Sequence, residues 1–468
     1  MGDSKLFLGP RLRRLRRDRG LSQTGMAASL AISPSYLNHL ERNQRPVTAA
    51  LLLRLAEAYD VDVRAFAAAG GARIGPDDLA EIFSDGMLAD LGVPRYELAE
   101  LAHNAPSIAD AIARLYSALK EAGRHPSPDS NGDARTLVTP ENWVRDYIQQ
   151  HRNYYPALED AAETLGGALS DPLSMNEPMR RRLKDAWGIT ARVVPQADLG
   201  NASQAYDPER RLFLLSSLLR AENRTFGLAY QLALVEFKTI IERMVADAGP
   251  PDPGIGHLLH MSLANYAAGA IMMPYGRFLA SAEEHRYSID RLCGEYGANV
   301  EQVAHRLTTL GRPGARGVPF FMLRVDPAGN ISKRYAGESF PFSRFGGTCP
   351  RWNLHTAFQT AGQAVTQLIE TPDGQRYFTV ARTIDRPIRT DLSGGLLAIG
   401  LGCDLRHAHR LSCAEGFDLS NPPVTLVGPA CAVCPRVDCS NRATAPAGRM
   451  LAVEENRKTI SPYPFHSG

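Results

Sequence analysis

Apolar residues at the head of the chain recur with helical spacing. Leu8, Leu12 and Leu15 fall at i, i+4 and i+7 with arginines on the other faces, which predicts a first helix stopped at Gly20. Ser22 caps a predicted second helix, Gln23 to Leu30, whose apolar side is Met26, Ala27 and Leu30. Ala31-Ile32 reads as a tight turn, and Ser33-Pro34 starts a third helix with an N-cap serine and a proline in its first position. Tyr36, Leu37 and Leu40 face inward on that helix, leaving Ser35, Asn38, His39 and Arg42 outward. After a loop from Asn43, Thr48 caps a fourth helix carrying Leu51, Leu52, Leu55 and Ala56.

Further along, Gly-rich residues 67–75 predict a hinge, and helical patterns follow at 77–83, 96–102 and 107–122. These serve either dimerisation or plain connection. Residues 123–135 have linker composition. Pro140-Glu141 opens a helix, and 155–165 continues helical. Short strands are expected at 189–194 and 211–215, then two long helical stretches, 224–248 and 255–271. Beyond Gly317, residues 319–325, 331–335, 377–383 and 396–401 alternate like strands. The expected architecture is mainly α with an α+β C-terminal part. Its parts are a helical head (1–68), a connector and linker (69–136), a middle domain (137–315) and a cysteine-rich domain (316–468).

Composition narrows the classes. With 44% hydrophobic and 22% charged residues, the 468-residue chain suits several buried cores. It has no apolar run near the roughly 18 residues a membrane span needs, and no apolar segment follows its first charges, so a cytoplasmic protein without membrane contact is expected. Net charge is +2, yet residues 1–66 hold Lys5 and ten arginines against six acids, a local +5 on a mildly acidic body. Such a head suits phosphate.

Two short helices joined by a tight turn, the second exposing small polar side chains, form the geometry that enters a DNA major groove. Ser35, Asn38 and His39 are the candidate base readers, because asparagine pairs bidentately with adenine. Arg13, Gln23, Ser33, Tyr36 and Arg42 complete the candidate DNA-binding set, several of them toward phosphates. A head with one reading helix works as a homodimer on a two-fold site in double-stranded promoter DNA. The run LSQTGMAASLAISPSYLNHLERNQRPVT resembles the xenobiotic-response-element type of helix-turn-helix.

The middle of the chain resembles the ImmA/IrrE-type metalloprotease domain, through RTFGLAYQLALVEF and LANYAAGAIMMPYGRFL. That family carries His-Glu-x-x-His on its first helix and an acidic ligand before Ala-Asn on the second. Here Tyr230, Gln231 and Leu234 occupy the first three places and Leu263 precedes Ala264-Asn265. Tyrosine, glutamine and two leucines build no tetrahedral zinc site and supply no general base, so the chain is not expected to be an enzyme. Two readings of the vacated site stand: a ligand cleft lined by Tyr230, Gln231, Leu234, Asn265, Tyr266 and Met273, or a refilled core.

Six of the seven cysteines fall between Cys349 and Cys439. In a chain expected to stay reduced, such clustering points to metal or redox chemistry. Cys431, Cys434 and Cys439 form C-x2-C-x4-C; with Cys349 as the fourth thiolate they suit either tetrahedral zinc or an iron–sulfur cluster. Cys403 and Cys413 compete for the fourth place, although the apolar run before Cys403 marks it as buried. Cys293 reads as a core thiol.

A helix-turn-helix, a degenerate ImmA/IrrE-type domain and a domain with GTCPRWNLHTAF, GLGCDLRHAHRL and C-x2-C-x4-C, in that order, resemble the short-chain fatty acyl-CoA regulator family over nearly the whole chain. The resemblance implies control of genes for acyl-CoA, propionate or acetate assimilation. It also implies an acyl-CoA or CoA effector in the pseudo-protease domain and, in some members, a [4Fe–4S] cluster on the C-terminal cysteines.

Overall fold

The computed structural model describes residues 9–19, 21–41, 45, 47–59, 74–85, 88, 91–124, 140–169, 172–337, 340, 348–385, 395–420, 423–446 and 449–466. Gly20, Arg42, most of the expected hinge and most of the expected linker lie outside these residues. The chain divides into two compact units, Met1–Leu79 with Val93–Ala113, and Ala80–Gly92 with Arg114–Gly468.

The first unit opens with α1 (Gly9–Asp18), α2 (Gln23–Ser29), α3 (Pro34–Glu41) and α4 (Ala49–Tyr59). Their apolar faces meet in one core of Leu12, Met26, Leu30, Leu37, Leu40, Leu51 and Leu55. Three side chains start helices by accepting orphan amides: Ser22 from Gly25, Ser33 from Tyr36 and Thr48 from Leu51. The turn between α2 and α3 places Ala31 at φ 52°, a left-handed conformation that costs a non-glycine residue about 1 kcal/mol. Arg54 of α4 clasps this turn, donating to the carbonyls of Leu30 and Ala31 at 3.2 and 3.4 Å. Then follow α5 (Pro76–Ile82), α6 (Arg95–Asn104) and α7 (Pro106–Arg124), of which α5 and α7 run on into the second unit.

In the second unit, α8 (Pro140–Gln150), α9 (Pro156–Leu169) and α10 (Asn176–Trp187) precede a small sheet. Its strands β1 (Thr190–Val194), β2 (Gln204–Asp207) and β3 (Leu212–Ser216) take the order β1-β3-β2, with β1 parallel to β3 and β2 antiparallel to it. Next come α11 (Ala221–Glu236), α12 (Lys238–Ala248) and α13 (Pro253–Met272). The single helix expected over 224–248 is two, broken at Phe237 (φ −107°, ψ 14°), whose buried ring anchors the bend. Asp252 caps α13 by accepting from the Ile255 amide at 2.9 Å, and Pro253 takes the first position. The helices α14 (Tyr275–Glu284), α15 (Ile289–Tyr296) and α16 (Val300–Leu307) close the helical part, α16 behind a reciprocal Asn299–Gln302 capping box.

The large sheet contains β4 (Phe321–Val325), β5 (Ile331–Ala336), β6 (Val365–Glu370), β7 (Arg376–Asp385), β8 (Leu396–Asp404) and β9 (Thr425–Leu426), ordered β5-β4-β8-β7-β6-β9. All neighbours are antiparallel except β6 and β9. Period-two alternation divides its faces. Met322, Phe378, Ile399 and Leu401 join the core of the helical part, while Phe321, Leu323, Tyr377 and Ala398 pack on the other side with Trp352, Leu354 and Cys349. Glycine inside β8 has a packing reason: a Cβ at Gly400 would meet Leu354 at 2.8 Å, and the Phe321 ring lies directly over Gly402.

Candidate functional site

On the reading head, Ser33, Ser35 and His39 are exposed and Asn38 is half-buried on the same helix. Tyr36 is half-buried and packs against the head's core, so its ring has a structural task as well. Beneath this surface lies a buried carboxylate. Glu41, the last residue of α3, is 2% exposed. Its oxygens accept from Arg16 Nε at 2.5 Å, Arg16 Nη2 at 3.0 Å and Gln23 Nε2 at 2.9 Å. Arg13 Nη2 donates to the Glu41 carbonyl at 3.0 Å, and Gln23 Nε2 also approaches Asn38 Oδ1 at 3.5 Å. Burial works to raise the pKa of Glu41; the bonds from Arg16 and Gln23 and the charges of Arg16 and Arg13 more than reverse this, so the net shift is downward. One acid thereby orients Arg13, Gln23 and Asn38 together. Glu41 and Arg16 were not among the residues singled out from sequence; a buried acid beside a reading helix shows no periodic signal.

In the middle of the chain, α11 and α13 pack side by side. Gln231 and Leu263 are buried, while Tyr230 and Leu234 are half-buried against the core. The six residues expected to line a cleft do not converge. Tyr266 is sealed in: its hydroxyl donates to Glu159 Oε1 at 2.5 Å and accepts from the Tyr155 amide at 3.3 Å. Met273 is fully buried, its carbonyl accepting from Arg306 Nε at 2.9 Å. Asn265 is exposed and bonds back to the Met261 carbonyl one turn earlier. The refilled-core reading describes Tyr266 and Met273, whose hydroxyl and carbonyl complete a buried polar lock, and Gln231 is buried as well.

That lock was invisible in the sequence. Arg306 of α16 and Glu159 of α9, 1% and 0% exposed, meet through Nη1–Oε1 at 2.5 Å and Nη2–Oε2 at 2.8 Å. Burial alone would favour neutral arginine; the Glu159 carboxylate overrides it and holds the guanidinium charged. The adjacent His305 has its pKa pushed down to about 3 by burial and by Lys333, so it is a neutral core residue.

At the C-terminus, Cys349 and Cys434 are buried and Cys431 and Cys439 half-buried. Burial pushes the Cys349 thiol up, and the nearby Cys431 and Cys434 push it further. Gly428 lets Cys434 pack in, since a Cβ there would meet its Sγ at 2.6 Å. Arg442, 3% exposed, ties the loop by donating to the carbonyls of Cys431 (2.7 Å), Cys434 (3.0 Å) and Arg436 (2.6 Å). Around these thiols Trp352 Nε1, Arg436 Nε and Arg442 Nε are buried N–H donors with no protein acceptor. Among the described residues, no three His, Cys, Asp or Glu side chains come close enough together to hold a single metal ion. Cys403 is buried on β8 opposite Phe378, and Cys293 is half-buried against the helical core.

A solved Mycobacterium tuberculosis transcriptional regulator is similar in fold, with a TM-score of 0.66 and 37% identity, covering 70% of this chain and all of that one. Residues 8–69 match a helix-turn-helix domain, 185–308 an IrrE N-terminal-like domain, and 309–463 the C-terminal region of the short-chain fatty acyl coenzyme A regulators. The HTH-type transcriptional regulator RamB of Mycobacterium tuberculosis is 40% identical over 98% of this chain and 99% of its own length. The chain belongs to the short-chain fatty acyl-CoA regulator family.

Other relatives of this regulator are the propionyl-CoA carboxylase regulator of Cereibacter sphaeroides, 36% identical over 98% of both chains, and PrpR of Mycobacterium tuberculosis, 36% identical over 98% of this chain and 96% of its own. These relatives are named as regulators, not enzymes, and this family member is a DNA-binding transcriptional regulator. Among its described residues no helix is long and apolar enough to cross a membrane.

Proposed function

We propose that this regulator binds paired promoter half-sites as a homodimer and that a short-chain acyl-CoA, or CoA itself, together with a [4Fe–4S] cluster on the C-terminal cysteines, sets its affinity for DNA. The genes it controls serve short-chain acyl-CoA metabolism, of the propionate and acetate type. The observation that carries this reading is the pair α11–α13: a hydrolase helix pair with Tyr230, Gln231, Leu234 and Leu263 where metal ligands and a base would stand. A scaffold emptied of bond-breaking groups retains the capacity to bind. Tyr230 and Leu234, both half-buried, are the members of the expected lining best placed to touch an effector. The printed names of the relatives, a propionyl-CoA carboxylase regulator among them, support the metabolic assignment.

Four thiolates, from Cys349 and the C-x2-C-x4-C loop, suit a four-iron cluster. Cys349, Cys431, Cys434 and Cys439 would hold it, and the unpartnered N–H groups of Trp352, Arg436 and Arg442 suit sulfur acceptors, which tune such clusters. When bound, the cluster supplies a one-electron redox centre. Effector or cluster occupancy then biases the placement of two heads against two half-sites; a coupling of about 1–3 kcal/mol changes operator affinity by about 5- to 150-fold.

Anaerobic purification followed by metal, sulfide and bound-nucleotide analysis tests this. A brown protein absorbing near ~400 nm with iron and sulfide supports the cluster. Colourless protein carrying one zinc per chain and no CoA ester contradicts both sensory assignments.

A further inference from the structure

Two cavities meet where the helices after Tyr287 pack on the six-stranded sheet, away from the cysteine loop and from the residues that replace the hydrolase motif. The inner chamber is about 100 Å³ and walled by Phe320, Phe378, Val380, Ile399, Leu401 and Leu411. The outer cleft is about 370 Å³ and mixed in character, with Asn223 and Asn299 on its walls beside Arg220, Glu222, Glu301 and Asp385; Asp385 is paired with Arg220 and Glu301 with Arg324 and Lys333. Val300 and Arg382 line both.

Strand periodicity explains why a cation stands at the junction. Phe378, Val380 and Arg382 alternate on β7 and so share one face, which puts a guanidinium at the end of an apolar row. Arg382 Nη1 donates to Asp290 Oδ1 at 2.5 Å; the Asp290 side chain is 76% exposed and that of Arg382 is 32% exposed. An exposed pair of this kind is weakly held, and a ligand carboxylate engaging the guanidinium's fork competes with it well. Size limits the other end of the ligand. An apolar cavity of about 150 Å³ admits benzene, so this smaller chamber takes roughly three to five carbons of an alkyl chain.

We propose that this paired cavity is a second effector site, for a free short-chain monocarboxylate whose carboxylate is held by Arg382 and whose alkyl chain fills the Phe320–Phe378–Leu401 chamber. The ligand is the acid itself, so the site reads a different chemical pool from the thioester assigned to the α11–α13 region. A thioester would place only a neutral carbonyl beside Arg382, which competes poorly with Asp290 for the guanidinium. Because the chamber is walled by both the helical part and the sheet, occupancy bears on how those two layers pack.

Isothermal titration of the full chain with acetate, butyrate, pentanoate, octanoate and butyryl-CoA tests the proposal. Butyrate and pentanoate should bind best, with acetate weaker by about tenfold for its lost methylenes and octanoate excluded by length. Arg382→Gln, a change at a partly exposed position, should weaken butyrate about tenfold, and Ile399→Phe should fill the chamber and remove binding. No binding of butyrate, equal affinity for octanoate, or full retention in Arg382→Gln each overturns the proposal. Binding of butyryl-CoA without butyrate also overturns it and assigns the cavity to the thioester. Butyrate binding in a protein whose DNA affinity ignores every acyl-CoA would leave this site standing and sink the acyl-CoA reading alone.

Discussion

The side-chain amide of Gln23, first residue of α2, donates to the carboxylate of Glu41, last residue of α3, across 2.9 Å. Two ends of the helix-turn-helix are thus fastened to one buried acid that also grips Arg16. Glu41→Ala should destabilise the head by about 3–5 kcal/mol, because it leaves the Arg16 charge without its buried partner. Denaturant unfolding followed by circular dichroism reads that loss; a change below about 1 kcal/mol would contradict it. The pH dependence has a definite sign. A carboxylate whose folded pKa is lowered contributes stability above its unfolded value and loses it as pH falls through the lowered one. The head should therefore weaken only in acid, below the ordinary carboxylate range.

Asn38 and Arg13 should divide the work of recognition. Asn38→Ala should cost about 1–3 kcal/mol and relax preference at one operator position. Arg13→Ala should weaken all duplexes alike and lower the salt slope by about one counterion. Binding to an operator library across a salt series separates the two. A uniform, salt-dependent loss for Asn38→Ala would mean that it touches phosphate rather than a base.

In the helical part of the second unit, Arg306→Met leaves Glu159 sealed from water without its cationic partner, which should cost about 3–5 kcal/mol. Replacing both partners, Glu159→Leu with Arg306→Met, should recover much of this, since an apolar pair of similar volume substitutes well for a buried ion pair. Equal destabilisation of the single and double variants would show that Tyr266, Thr309 and the Met273 carbonyl depend on the charges more than the pair does.

Gly428→Ala probes the cysteine loop without touching a thiol. The added methyl would sit 2.6 Å from Cys434 Sγ and 2.9 Å from its Cβ, so the Cys434 side chain must move. Iron content and visible absorbance after anaerobic purification should fall, with the fold of the rest retained. Unchanged iron and colour would remove Cys434 from the ligand set.

Local signals carried much of the fold. The caps at Ser22, Ser33 and Thr48 and the leucine spacing of the head were legible because both partners of each contact lie within one or two turns. The loss of hydrolytic groups at Tyr230, Gln231 and Leu234 was legible too, as residue identity at fixed helical spacing. Pairings across long separations were not. Glu159 and Arg306 lie 147 residues apart, and nothing in either segment marks them as partners. Arg442 looks like any polar loop residue until its guanidinium is seen holding three carbonyls. Strand β6, VTQLIE, escaped notice because its apolar content is thin, and only pairing with β7 organises it. The helix at 176–187 escaped for the opposite reason, being so charged that only Met179 and Leu183 reveal a buried face. The break at Phe237 has no proline or glycine to announce it.

The most direct test of the account is operator binding by the anaerobically purified full chain, followed by fluorescence anisotropy at fixed salt with and without propionyl-CoA and related short-chain acyl-CoAs. A shift of about 5-fold or more with at least one acyl-CoA, and preference for the operator over random duplex, is the predicted result. Identical affinity with every acyl-CoA would contradict effector gating, and equal binding of operator and random DNA would contradict the reading head itself.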